Sequence, residues 1–130
     1  MLNRVVMVGR TANEPELRYS TNGTAVTTFR LAVDRPFKNN KGEKETDFFQ
    51  IVTFKKLAEV CAHNLSKGRL VAVEGRLQTR SYQAQDGGTR WVTEVVAENV
   101  RFLDWPKNGR TEATGAGYVM DDMQENEVPF

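Results

Sequence analysis

The chain has 130 residues, 39% of them hydrophobic, and a formal net charge of +1, which is enough for one compact core and too little for several. A single cysteine, Cys61, excludes an internal disulfide, and the chain starts with neither a basic leader nor an apolar run of signal or membrane length, so a cytoplasmic protein with no membrane partner is expected. The charge is uneven: residues 1–106 hold 16 Lys+Arg against 12 Asp+Glu, whereas 107–130 hold 2 against 5, a basic body followed by an acidic end.

Asn3-Arg4-Val5-Val6-Met7-Val8-Gly9-Arg10 is a β-branched run closed by a glycine, the expected first strand. Pro15 places a turn at Asn13-Glu14-Pro15-Glu16, and Asn22-Gly23 suits the left-handed torsions of a hairpin turn. From Ala25 the odd positions Ala25, Thr27, Phe29, Leu31 and Val33 form an apolar face opposite Thr24, Thr28 and Arg30, which predicts a half-buried strand with Phe29 in the core. Arg35 to Lys44 reads as a loop by its Pro, Asn and Gly content, and it gathers four cations around Phe37. That loop is either a solvated connector with Phe37 folded back on the barrel, or a segment whose cations follow phosphates while the ring stacks on a base.

Thr46 to Phe54 is the strand with two apolar faces. Phe48, Gln50, Val52 and Phe54 share one side, and Phe49, Ile51 and Thr53 share the other. Only one side can line a single core, and rings left on the other need a reason to face water. Stacking on unpaired bases is such a reason, worth roughly 1–3 kcal/mol per base. Leu57, Val60, Cys61 and Leu65 then fall at helical spacing, with Lys67-Gly68 as the expected end cap. Cys61 lies on the apolar face of that helix and His63 has no second ligand at metal spacing, so both are expected to be structural and no metal site is predicted.

Arg69 to Gln83 is a long strand with a bulge or sharp bend at Gly75. Past the bend Arg76, Gln78, Arg80 and Tyr82 point one way and Leu77 and Thr79 the other, which describes either a solvated outer face or a cationic stripe ending in a ring. Gln85-Asp86-Gly87-Gly88 is a turn, and Thr89 to Leu103 returns as the last strand, with pairing expected to bring Trp91 close to Tyr82. About five strands with one short helix after the third predict an all-β, five-stranded Greek-key barrel of the oligonucleotide-binding type. Periodicity alone leaves other small barrels open. Beyond residue 105 the composition is small, polar and acidic, so a disordered linker over 106–120 and an acidic tip over 121–130 are expected. The tip is either a solubilising tail or a docking peptide, with Asp121, Asp122, Glu125 and Glu127 ahead of the apolar end Val128-Pro129-Phe130.

Taken in order, Leu2-Asn3-Arg4-Val5-Val6-Met7-Val8-Gly9-Arg10, Pro15-Glu16-Leu17-Arg18-Tyr19, Asn22-Gly23, Phe54-Lys55-Lys56-Leu57-Ala58-Glu59, Lys67-Gly68, Val73-Glu74-Gly75-Arg76-Leu77 and Thr93-Glu94-Val95-Val96 resemble the bacterial single-stranded DNA-binding protein family. The likeness runs in register over 1–105, with Val128-Pro129-Phe130 as a separate match. It implies an oligonucleotide-binding barrel that assembles as a homotetramer and protects single-stranded DNA, whatever its sequence, during replication, recombination and repair, in the cytoplasm and on the nucleoid. The tip would recruit genome-maintenance proteins. The family's stacking aromatics would fall on Phe37, Phe48, Phe54 and Tyr82. In well-known members three of these are tryptophan, so Phe37, Phe48 and Tyr82 offer smaller rings here. Basic residues near the rings, namely Arg35, Lys38, Lys56, Lys67, Arg76 and Arg80, are the candidates for phosphate contacts. The acids of the tip are interrupted by Met123, Gln124 and Asn126, which leaves a chromosomal protein, a specialised paralogue and a phage-encoded version all open.

Catalysis lacks its parts. There is no Gly-x-x-x-x-Gly-Lys phosphate cradle and no second histidine to act as a base, so no enzyme and no cofactor are expected. The serious rival is another kind of binding module, a reader of structured RNA or an adaptor acting through its tail.

Overall fold

The computed structural model describes residues 1–104. In chain order the elements are β1 (Val5–Thr11), β2 (Glu16–Tyr19), β3 (Ala25–Lys38), β4 (Lys44–Phe54), α1 (Lys55–Asn64), β5 (Leu70–Gln83) and β6 (Thr89–Phe102). Ala25, Thr27, Phe29 and Leu31 are all buried, so the alternation along β3 does divide an inner from an outer side of the sheet. On β4 the inner set is Phe49, Ile51 and Thr53, and Phe48 and Phe54 face out.

The strands lie in the order β1-β5-β6-β4-β3-β2, and β1 also pairs with β3 at Arg10↔Ala32 and Thr11↔Leu31. That second pairing closes five strands into a barrel and leaves β2 as an added strand on β3. β4 and β6 run parallel, at Ile51↔Val95 and Val52↔Val96, while the other pairs are antiparallel. The result is the oligonucleotide-binding barrel, with its short helix after the third barrel strand. Phe29, Leu31, Ile51, Cys61, Leu65, Val71, Val73, Val95 and Ala97 form the core. α1 closes one end of it with Ala58 and Cys61. The buried hydroxyls there are satisfied: Thr27 donates to the Ala58 carbonyl at 2.7 Å and Thr53 to the Thr27 carbonyl at 2.9 Å.

The corner expected at Gly75 is present. Pairing of β5 with β6 shifts register between Glu74 and Gly75, and a Cβ at Gly75 would lie 2.1 Å from the Val96 carbonyl oxygen. Only a residue without a side chain lets the two backbones approach that closely.

Four local expectations change. Glu16 ends the expected turn but already belongs to a strand that the sequence reading did not assign, Glu16–Tyr19, paired with β3 from Glu16↔Thr28 to Tyr19↔Ala25. The segment from Arg35 to Lys44 is half strand: β3 continues to Lys38 and β4 starts at Lys44, so only the turn between them is a loop. Pro36 is tolerated because pairing lapses between Asp34 and Lys38, where its missing N–H breaks no ladder bond. The helix ends at Asn64 with Leu65 as its extended cap, and Lys67-Gly68 belongs to the turn into β5. Finally, Tyr82 lies opposite Arg90 and Trp91 opposite Ser81. That offset of one residue sends the two rings to opposite faces, so the expected pair does not form. The linker and tip expected over 106–130 lie outside the described residues. Among the described residues no helix is long and apolar enough to cross a membrane.

Candidate nucleic-acid interface

Register decides which side chains share the outer face. Phe54, Val52, Gln50 and Phe48 on β4 stand opposite Val26, Thr28, Arg30 and Ala32 on β3. Val96 lies beside Val52 on the other flank, and Arg76, Gln78, Arg80 and Tyr82 on β5 stand opposite Val96, Glu94, Val92 and Arg90 on β6. One continuous surface therefore carries Phe48, Phe54 and Tyr82 interleaved with hydrogen-bonding side chains. The rings are open to solvent, at 51% for Phe48, 40% for Phe54 and 49% for Tyr82. Phe37 is 73% exposed on the β3–β4 arm, beyond the lapse in pairing, so the reading in which it folds back onto the barrel is not what the chain does. The Arg30 guanidinium carbon sits 5.1 Å from the centre of the Phe48 ring, a cation–π contact that covers one face and braces the other for stacking.

A carboxylate organises the middle of this surface. Glu94 has only 1% of its side chain exposed, yet it lies at the base of a cleft of about 530 Å³ lined also by Tyr19, Thr28, Val52 and Phe54. Gln50 donates to its Oε1 at 3.1 Å, and Gln78 and the Arg80 Nε donate to its Oε2 at 2.7 and 2.9 Å. Burial pushes the Glu94 carboxyl up, but the three donors and the Arg80 charge outweigh that and hold it below its ordinary value. It is a buried anion with its partners in place.

The candidate phosphate contacts divide by what their nitrogens already do. Arg80 gives Glu94 its Nε, which leaves the terminal nitrogens of the fork free for a phosphate. Arg35 is engaged at all three: Nε and one terminal nitrogen with Asp47, the other with Glu45, at 2.7 to 2.9 Å. The Asp47 hydrogen bond raises the Arg35 pKa and lowers that of Asp47 in return. Arg35 thus pins the β3–β4 arm and is spoken for. Lys38 and Lys56 are exposed beside Phe37 and Phe54 in sequence, and Arg76 is exposed on the outer face of β5. None of the three forms an ion pair among the described residues. Lys67 stands apart, in the turn where its backbone N–H meets Glu14, roughly 15 Å of helix from Phe54.

Glu94, Arg30 and Tyr19 escape a reading of the sequence alone. The first two are on strand faces that a period-2 pattern does identify, but their roles depend on register between strands distant in sequence, which no local signal fixes. Tyr19 sits in the strand that the Pro15 turn concealed. Elsewhere the bland expectations hold: Cys61 is fully buried, and burial pushes its thiol up to about 12 against a partial lowering by Thr53, while His63 Nδ1 meets the Glu59 carbonyl on its own helix. Among the described residues no group of three or more His, Cys, Asp or Glu could hold a metal ion.

Residues 2–103 match the model of the single-strand binding protein family. The chain belongs to that family. Every ring and cation discussed above lies within the matched span. Relatives agree over most of the chain's length. A single-stranded DNA-binding protein of Caldanaerobacter subterraneus subsp. tengcongensis is 48% identical over 100% of this chain and 83% of its own length. Single-stranded DNA-binding protein A of Bacillus subtilis is 56% identical over 91% of this chain and 67% of its own. Single-stranded DNA-binding protein 2 of Clostridium acetobutylicum is 47% identical over 99% and 100%. For a member of the single-strand binding protein family, an outer face of exposed rings is the surface that calls for a ligand.

Proposed function

We propose that this protein binds single-stranded DNA without requiring a defined sequence and protects it during replication, recombination and repair. The observation that carries this is the single outer surface on which Phe48, Phe54 and Tyr82 stand exposed among hydrogen-bonding and cationic side chains, with Phe37 extending it along the arm. Unpaired bases stack on the rings, and Lys38, Lys56, Arg76 and Arg80 meet phosphates. The names of its relatives support the same ligand. It is a binding protein and not an enzyme, cytoplasmic and nucleoid-associated. Assembly into a homotetramer is supported by β1, where Val6 and Val8 are exposed on a strand whose residues before Arg10 pair on one side only. Residues 106–120 serve as a linker. The tip from Asp121 to Phe130 has the acidic and apolar chemistry of a peptide that recruits replication, recombination and repair proteins.

The test is anisotropy of labelled oligo-dT, a matching duplex and single-stranded RNA titrated with the whole protein at two salt concentrations. Oligo-dT is expected to bind tightly, with the logarithm of affinity falling against the logarithm of salt by about 0.7 per phosphate neutralised, and duplex to bind far more weakly. Phe48→Ala with Phe54→Ala is expected to weaken oligo-dT by about 2–6 kcal/mol for the two rings. An affinity that stays within twofold in that variant would show that the rings are not stacking platforms.

A further inference from the structure

The three donors on Glu94 have a consequence for what the cleft accepts. A carboxylate can only accept hydrogen bonds, so it fixes which end of each neighbouring amide faces it. Gln50 and Gln78 both turn their NH₂ groups to Glu94, so neither Oε1 can face that carboxylate, and both residues line the cleft. Neither Oε1 receives a hydrogen bond among the described residues, and neither is a buried atom. The cleft thus presents two oriented acceptors among lining residues that include Phe54. Arg80, held by its Nε, lines the same cleft with its remaining donors uncommitted.

We propose that this cleft takes one base of the bound strand edge-on, and that the paired glutamine carbonyls make it favour bases with an exocyclic amino group over thymine. Cytosine, adenine and guanine each bring an NH₂ donor to such acceptors. Thymine brings one ring N–H between two carbonyls, and those oppose the glutamine oxygens. Glu94 acts as a positioning residue: it touches no base, but it keeps both amides from flipping. The inference rests on the single-strand reading above and adds a local preference to a binding mode that is otherwise indifferent to sequence.

Cytosine and thymine are both pyrimidines, so oligo-dC against oligo-dT compares base edges while keeping ring size constant. The affinity ratio of dC to dT is measured for the whole protein, for Glu94→Gln, and for Gln50→Leu with Gln78→Leu. In both variants the ratio is expected to fall about five- to tenfold, the effect of losing one or two oriented hydrogen bonds. In Glu94→Gln the amides are free to rotate, so a lost ratio with retained oligo-dT binding marks orientation rather than a damaged fold. A ratio unchanged in both variants, with binding intact, overturns the inference and leaves the stacking surface standing. Absence of binding to either oligomer by the unmodified protein overturns the single-strand reading and this inference together.

Discussion

Lys55 sits between the last ring of β4 and the body of α1 with a φ of +58°, the left-handed region that costs a residue with a side chain about 1–2 kcal/mol. Its torsion turns the chain from strand into helix and so sets where Phe54 points. Lys55→Gly removes that cost, and the melting temperature is expected to rise by about 4–8 °C for each kcal/mol recovered in a domain of this size. A fall in melting temperature in a calorimetric scan would mean that the lysine stem contributes more by packing than its torsion costs. At this scale the sequence was informative about the rings, because Phe48 and Phe54 alternate with core residues in a run that has no other use for them. It was silent on Lys55, since nothing about a lysine announces a positive φ. It also could not separate Arg35 from Arg80, which differ only in how many of their nitrogens are already occupied.

Among the elements, β5 bends where a glycine interrupts a β-branched run, and this was readable because a glycine inside a strand has few other causes. Gly75→Ala would set a methyl 2.1 Å from the Val96 carbonyl, and the backbones of β5 and β6 must separate to admit it. The expected loss of stability is about 1–3 kcal/mol, in the range of overpacked cores, read as a lower denaturant midpoint in chemical unfolding. A midpoint equal to that of the parent would show that the corner is free to open. The β3–β4 arm was misread for a converse reason. Pro, Asn and Gly report the torsions a segment can adopt, and they do not report whether a neighbouring strand is there to pair with it. Likewise the offset between Tyr82 and Trp91 is fixed by the Gln85–Gly88 turn, where one residue more or less exchanges the faces.

For the molecule as a whole, the outer surface of β4 and β5 carries the exposed rings, while β1 presents Val6 and Val8. If the proposed tetramer forms through β1, Val6→Glu with Val8→Glu is expected to lower the mass measured by light scattering from that of a tetramer toward smaller species, because charges are costly in a buried contact between copies. An unchanged mass would place the contact elsewhere. The barrel class was legible from the number and spacing of strands, but its centre was not: Glu94 gathers side chains from β4 and β5 onto β6, and such a meeting exists only once the sheet has closed. That closure also governs how the chain comes to be folded. Val5 pairs with Gly75, and Ile51 finds its parallel partner in Val95, so the first strand to be synthesised waits for the fourth and fifth strands of the barrel. The β3–β4 hairpin is local and can form early. Until β6 leaves the ribosome, however, Phe29, Leu31 and Ile51 have no complete core to enter, and folding must be late and slower than for a helical chain of equal length. A nascent chain halted before residue 95 carries these side chains uncovered, which makes the interval before completion the one in which this protein depends most on its surroundings.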